Sequence, residues 1–259
     1  KYIEDVKMKK TIWKNPNNFN ELEVNENCLI DNRTGEQFIK DENEIIQFIQ
    51  KEEIDGSNKK STDFYNSFAP FYEIGQKIWY SFFGGEKKAR MDYLNYLDIK
   101  DNMTVLEVSI GTAANVKYLT KNADYYGIDI SMGQLLQSVK NKNKYKLPIT
   151  LCYAKAESLP FKDNSFDVVY HIGGINLFND KQKAIYEMVR VAKKDAKIMI
   201  CDETEKVAQK YEKLPYFGKP FKNREKIVPP INLLPENVEN IKTMEIRKGT
   251  LYIITCNKK

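Results

Sequence analysis

What this chain lacks narrows the reading first. Its four cysteines, Cys28, Cys152, Cys201 and Cys256, stand far apart and form no CxxC pair, so the spacing signals neither a zinc knuckle nor a disulfide framework. Three of them sit in apolar runs ("ITLCYA", "KIMICDE", "YIITCNK"), where a small thiol packs as a hydrophobe. No stretch approaches the roughly 18 apolar residues of a membrane span. The segment "KYIEDVKMKKTIWK" lacks the apolar core of a signal peptide, and the expected location is cytoplasmic. A strong charge of one sign is missing too. Lys+Arg 41 against Asp+Glu 36 gives +5, spread along the chain rather than gathered into an arm, so nucleic acid is not demanded as a partner. Histidine occurs once, as His171.

What is present is a pattern of alternation. The 259 residues are 42% hydrophobic, enough for one large domain and a small appendage. Residues 1–60 are polar and Asn-rich, with semi-apolar pieces around the turn signal "DNRTGE", and they end in the linker-like "DGSNKKST". This region reads as a small β-rich appendage. Residues 61–100 carry the aromatic run "DFYNSFAPFYEIGQKIWYSFF" and, after Gly84 and Gly85, "EKKARMDYLNYLDI", which reads as a helical lid. From 101 to 259 strands alternate with helices: "TVLEVS", "AANVKYLTK", "DYYGIDI", "MGQLLQSVKNKN", "PITLCYA", "SFDVVYHI", "KQKAIYEMVRVAKK", "AKIMICDE", then the β-rich "NIKTMEIRKG" and "TLYIITCNK". The expected fold is α/β: a Rossmann-like, doubly wound, mostly parallel seven-stranded sheet closed by an antiparallel C-terminal hairpin.

In such a sheet ligands bind beyond the carboxyl ends of the strands, and the first strand–turn–helix supplies the floor. Here that turn is Glu107 to Ala114. Ser109, Gly111 and Ala114 fit a weakened dinucleotide fingerprint, while Glu107, Ser109, Gly111 and Ala113 fit a weakened E-x-G-x-G-x-G methyltransferase turn. The turn alone leaves both open. In either, Asp129 at the end of "YYGID" is placed to accept hydrogen bonds from ribose hydroxyls.

Four segments together, "TVLEVSIGTAANVKYL", "YYGIDIS", "AESLPFKDNSFDVVYHIGGINLF" and "AIYEMVRVAKKDAKIMICDET", resemble the successive motifs of class I S-adenosylmethionine-dependent methyltransferases. They most resemble the branch of ubiquinone/menaquinone-biosynthesis C-methyltransferases. The resemblance covers about Thr62 to Cys256, and "FYNSFAPFYE" is similar to the aromatic helix covering the active site in that branch. It implies S-adenosylmethionine as cofactor, with S-adenosylhomocysteine as product. It further implies that Glu107, with the turn through Ser109 and Gly111, holds the methionine amino group. Asp129 then takes the ribose hydroxyls, Ile130 and Met132 face the adenine, and Ala156 and Glu157 lie along its edge. His171, with Ile172 and Gly173, lines the passage where the sulfonium methyl meets its acceptor. Two glycines of the turn are replaced by Ser109 and Ala113, and the acid common before Ala-Glu is Lys155. A Cβ at position 109 is compatible with binding if its φ is negative.

Methyl transfer from a sulfonium needs alignment, exclusion of water and, for a weak nucleophile, a base. His171 is the candidate base, and Tyr65 and Tyr72 are candidates for orienting the acceptor. Phe64, Phe68, Phe71, Trp79 and Phe83 favour a small, aromatic or lipophilic acceptor over a polynucleotide. The segment "CLIDNRTGEQFIKDENEIIQF" resembles the ribbon-like module preceding some methyltransferases, here without its metal-binding cysteine pairs. An RNA methyltransferase and a catalytically silent cofactor- or partner-binding module stay open as alternatives. A homodimer is compatible with the reading.

Overall fold

The computed structural model describes residues 11–63, 80, 84–213 and 225–259. Short runs of Val, Ile, Leu and Tyr between polar turns form the strands: β1 (Glu23–Val24), β2 (Cys28–Ile30), β3 (Gln37–Ile39), β4 (Ile46–Gln47), β5 (Thr104–Val108), β6 (Asp124–Asp129), β7 (Ile149–Tyr153), β8 (Phe166–Ile172), β9 (Ala192–Glu203), β10 (Val238–Ile246) and β11 (Leu251–Lys258). The large sheet has the order β10-β11-β9-β8-β5-β6-β7-β4. From β4 to β9 neighbouring strands are parallel, and β11 runs antiparallel to both β9 and β10. All seven expected strands are there. An eighth, β4, comes from the N-terminal region and pairs Ile46 with Cys152 and Gln47 with Tyr153.

The central strands are apolar on both faces because both are covered. One face packs Leu106, Val169, Ile198 and Ile254 against Ile185 and Met188 of α3 (Lys181–Val191). The other packs Val105, Met199 and Ile253 with Tyr93 of α1 (Glu86–Leu94) and Leu135 of α2 (Met132–Tyr145). Ser131 caps α2 by accepting from the Gln134 amide, and Asp180 caps α3 by accepting from the Lys183 amide. A short helix, α4 (Glu205–Glu212), follows β9. Cys152, Cys201 and Cys256 are buried, and burial pushes all three thiols up, Cys256 to about 11.

One expected helix is absent. "AANVKYLTK" forms turns and a single 3-10 turn at Val116–Tyr118. Ala113 lies at φ 55°, which an α-helix does not tolerate. The carbonyls that a helix would use for its own ladder are taken from outside: Ser138 Oγ donates to Gly111 O (2.6 Å) and Asn141 Nδ2 to Thr112 O (2.9 Å). Tertiary hydrogen bonds from α2 thus replace local ones.

The N-terminal region is tied to the sheet. Trp13 stacks on Phe161 (centroids 5.1 Å apart) and meets the edge of Tyr126, while the Lys162 amide donates to Ile12 O at 2.7 Å. Beside it, β1, β2 and β3 form a small antiparallel sheet. The segment before β1 and the loop after β2 close on one carboxylate. The fully buried Asp31 accepts from the side-chain amides of Asn15 (2.9 Å), Asn18 (2.8 Å) and Asn20 (3.1 Å), and from the backbone amides of Arg33 (3.0 Å) and Thr34 (3.3 Å). These donors hold the Asp31 carboxyl far below the usual carboxylate range, against the opposing effect of its burial. An anion ringed by amides here pins two loops, the task a cation ringed by thiolates performs in a zinc ribbon.

Asp31→Asn places an amide among amide donors and is expected to lower the thermal unfolding midpoint at neutral pH, whereas a chelator leaves the wild-type midpoint unchanged. Because the folded pKa is depressed, the gap between the two proteins is full above about pH 4 and narrows as pH falls below it. Unfolding curves at several pH values measure this directly.

Candidate active site

The turn after β5 is built from left-handed residues. Ser109 (φ 57°), Gly111 (φ 58°) and Ala113 (φ 55°) alternate through it, at the three positions of the glycine-rich pattern. Ser109 therefore does not have the negative φ on which its compatibility with binding was argued. A non-glycine residue held there costs about 1–2 kcal/mol, and the surrounding bonds show what sustains it. Asp129 Oδ2 accepts from the Gly111 amide (2.8 Å) and its Oδ1 from the Ser131 amide (2.8 Å), so one carboxylate joins the loops that follow β5 and β6. Asp129 is 7% exposed, and burial pushes its carboxyl up to about 6.

Beneath the turn lies a buried polar network. Glu107 Oε1 accepts from Asn115 Nδ2 (2.6 Å) and its Oε2 from the Tyr170 hydroxyl (2.8 Å). Asn115 Oδ1 in turn accepts from Arg90 Nη1 (2.8 Å) and the Tyr93 hydroxyl (3.1 Å). Burial raises the Glu107 carboxyl to about 7, opposed by these donors and by Arg90.

A small cleft open to solvent lies at the carboxyl ends of β5, β6 and β7. Ile128, Asp129, Ile130 and Ala154 come from the ends of β6 and β7; Ser109, Ala156, Glu157 and Phe178 come from loops; Asn58 comes from a helical stretch over residues 56–63, where the composition of "DGSNKKST" suggests a linker. Of the sequence-predicted residues the structure thus brings together Ser109, Asp129, Ile130, Ala156 and Glu157. Gly111 stands behind Asp129 through its amide, and Met132 packs on the neighbouring core. Glu107 sits below the turn. Tyr65 and Tyr72, with Phe64, Phe68, Phe71, Trp79 and Phe83, lie outside the described residues.

Glu157 is committed within the protein: its Oε1 accepts from Asn58 Nδ2 (3.0 Å), the Asn179 amide (3.1 Å) and the Asp180 amide (3.4 Å). Lys155 turns away and donates to Glu53 O at 2.6 Å. His171 is fully buried, its ring edge-on to Phe178 at 5.2 Å, which itself lines the cleft. Its Nδ1 lies 3.0 Å from Val108 O. A carbonyl only accepts, so the proton is assigned to Nδ1 and Nε2 carries the lone pair. Nε2 has no hydrogen-bond partner among the described residues. Burial lowers the His171 pKa, opposed by nearby Asp202, and keeps the ring neutral at pH 7.

The sequence reading did not find Asn58, Phe178 or the Arg90–Asn115–Tyr170 network. Phe178 ends the quoted segment "GGINLF", so the resemblance carried a signal for it. Asn58 lies in "DGSNKKST", which by composition reads as a linker but is helical over residues 56–63, and no local signal marks it.

A family profile described as "Methyltransferase domain" matches residues 106–200. The demethylmenaquinone methyltransferase of Anoxybacillus flavithermus is 29% identical over 146 residues, 51% of this chain and 62% of that protein. The chain spans less than two thirds of the length of such curated relatives. Among solved structures, a SAM-dependent methyltransferase from Thermotoga maritima is similar with a TM-score of 0.58 and 18% identity, covering 76% of this chain and 99% of that one. The cyclase SpnF is similar with a TM-score of 0.56 and 15% identity, covering 66% of this chain and 81% of that one. The matched segment, residues 106–200, is similar to a class I S-adenosylmethionine-dependent methyltransferase domain, and the order of the strands it contributes accords with that likeness. Within that class the chain is weakly related to the demethylmenaquinone methyltransferases, at 27–30% identity.

Two stability measurements follow from the turn. Ser109→Gly relieves a left-handed side chain and is expected to stabilise the fold by about 1 kcal/mol in urea unfolding. Glu107 has a folded pKa near 7, above its ordinary 4.5, so the folded state binds its proton more tightly and stability falls as pH rises through that window. The isosteric Glu107→Gln is expected to flatten this fall, and an unchanged pH profile would remove Glu107 as its source.

Proposed function

We propose that this chain transfers a methyl group from S-adenosylmethionine to a small, aromatic or lipophilic acceptor in the cytoplasm. The observation that carries the reading is Asp129: a buried carboxylate at the rim of an apolar cleft, at the carboxyl end of β6 in a methyltransferase sheet. The residues present fit the nucleoside end of such a cofactor. The Asp129 carboxylate accepts from the backbone amides of Gly111, Ser131 and Ile130 and keeps a lone pair for a hydroxyl. Ile128, Ile130, Ala154 and Phe178 offer apolar walls to a flat heterocycle.

When bound, the cofactor supplies an electrophilic methyl on a sulfonium. The chain does the rest. Asp129 fixes the ribose and, through Gly111, the turn beside it; Ser109 and Gly111 border the methionine portion, and Glu107 sits below with the charge to balance an ammonium. Ala156 and Glu157 line the base side, with Met132 behind Ile130. His171 receives the acceptor's proton at Nε2, the nitrogen left free by the bond to Val108, and Asp202 favours the imidazolium that results. Tyr65 and Tyr72 are proposed to orient the acceptor. The likeness to solved structures speaks for the fold alone, so the activity rests on these groups.

Calorimetric titration with S-adenosylmethionine and S-adenosylhomocysteine is expected to show micromolar binding. Absence of binding to both would overturn the proposal in favour of a silent, partner-binding module. Asp129→Ala, which removes both the hydroxyl acceptor and the brace on Gly111, is expected to weaken binding by about 2 to 4 kcal/mol. His171→Asn is expected to lower turnover roughly 100-fold at unchanged cofactor affinity; an equally fast variant returns His171 to packing.

A further inference from the structure

We propose that Asn58, from the helical stretch over residues 56–63, reads the edge of the adenine in this cleft and takes the place of the acid missing at position 155. The proposal rests on the S-adenosyl reading of the cleft. Asn58 is 2% exposed and lines the cleft together with Asp129, the last residue of β6, and Ile130, which follows it. A buried amide at such a place needs partners.

Its inventory is half used. Nδ2 donates to Glu157 Oε1 at 3.0 Å, and Oδ1 accepts from the Asn179 amide at 3.3 Å. A primary amide has two N–H groups and two carbonyl lone pairs, so one donor and one acceptor are left. Adenine presents the complement: its exocyclic amine donates beside a ring nitrogen that accepts, which is why an Asn amide pairs bidentately with adenine in nucleic acid recognition. A flat ring held by Ile130, Ala154 and Phe178 would share this cleft with Asn58.

The expected acid is replaced by a residue that cannot help. Lys155 carries only donors and is turned to the Glu53 carbonyl, away from the cleft. Glu157, two residues on, is already bound by three donors through Oε1. Those same bonds orient Asn58: Glu157 holds its amide nitrogen and Asn179 its oxygen, so the side chain is fixed before a ligand arrives. The clasp is anchored further by Asn179 Nδ2 on Asp55 Oδ1 (2.8 Å) and by the Asn58 amide on Asn179 Oδ1 (3.0 Å).

The test compares S-adenosylhomocysteine with S-inosylhomocysteine, in which the ring's amine is replaced by a carbonyl, by calorimetry on the full chain. Wild type is expected to prefer the adenine ligand by roughly 5- to 150-fold. Asn58→Ala should lose most of that preference, weakening the adenine ligand far more than the inosine one. Asn58→Ser, which keeps one hydroxyl bond in the clasp but cannot span both adenine groups, should do the same if the alanine variant folds poorly. Asn179→Ala loosens the clasp without removing the reading group and should weaken both ligands alike, preserving the ratio. Equal losses for both ligands in the Asn58 variants, or unchanged affinity, would overturn the assignment and leave Asn58 as a structural tie. If wild type bound neither ligand, the cofactor reading itself would fall, and this inference with it.

Discussion

The bond between the Asp129 carboxylate and the Gly111 amide is the constraint on which the rest of the site depends. Three left-handed residues in alternation, two of them bearing a Cβ, do not make a stable turn unaided. Asp129 anchors the middle of that turn, α2 supplies donors to its carbonyls from Ser138 and Asn141, and Glu107 holds its far end through Asn115. The same carboxylate also receives the Ser131 amide, which places the start of α2. Strand end, turn and helix are thereby locked into the outline of the cleft before any ligand binds, a form of preorganisation whose cost is met in folding.

Three buried carboxylates show how donor count decides the electrostatics. Asp31, with three side-chain amides and two backbone amides upon it, is held far below its ordinary range. Asp129 and Glu107 face fewer donors, desolvation prevails, and their carboxyls rise to about 6 and about 7. The first is satisfied and serves structure alone. The other two retain a demand for further donors, which suits groups placed beside a ligand cleft.

The N-terminal region is part of this arrangement rather than an ornament to it. Trp13 lies against Phe161, β4 extends the sheet beside β7, and Asn58 closes one wall of the cleft. The segment "AESLPFKDNSFDVVY", which carries the strongest resemblance, does much of its work as structure. Arg190 donates to the carbonyls of Leu159 (3.0 Å) and Phe161 (2.7 Å), Glu187 accepts from the Leu159 amide (2.8 Å), and Asp167 receives the amide of Thr104 at the start of β5 (2.8 Å). Only its first residues, Ala156 and Glu157, reach the cleft.

The sequence by itself determined the seven strands from β5 to β11, the mostly parallel sense of their sheet and the place of Asp129, because apolar periodicity and strand–helix alternation are local properties written in consecutive residues. It also carried the resemblance that named the cofactor. It did not reveal that "AANVKYLTK" would give up its helix, since the donors that capture Gly111 O and Thr112 O come from Ser138 and Asn141, far along the chain. Nor could it show that Ser109 is left-handed, that Asp31 gathers three asparagines, or that Asn58 lines the cleft. Those outcomes depend on which polar groups meet once the core has formed, and buried hydrogen bonds between distant residues leave no period in the sequence.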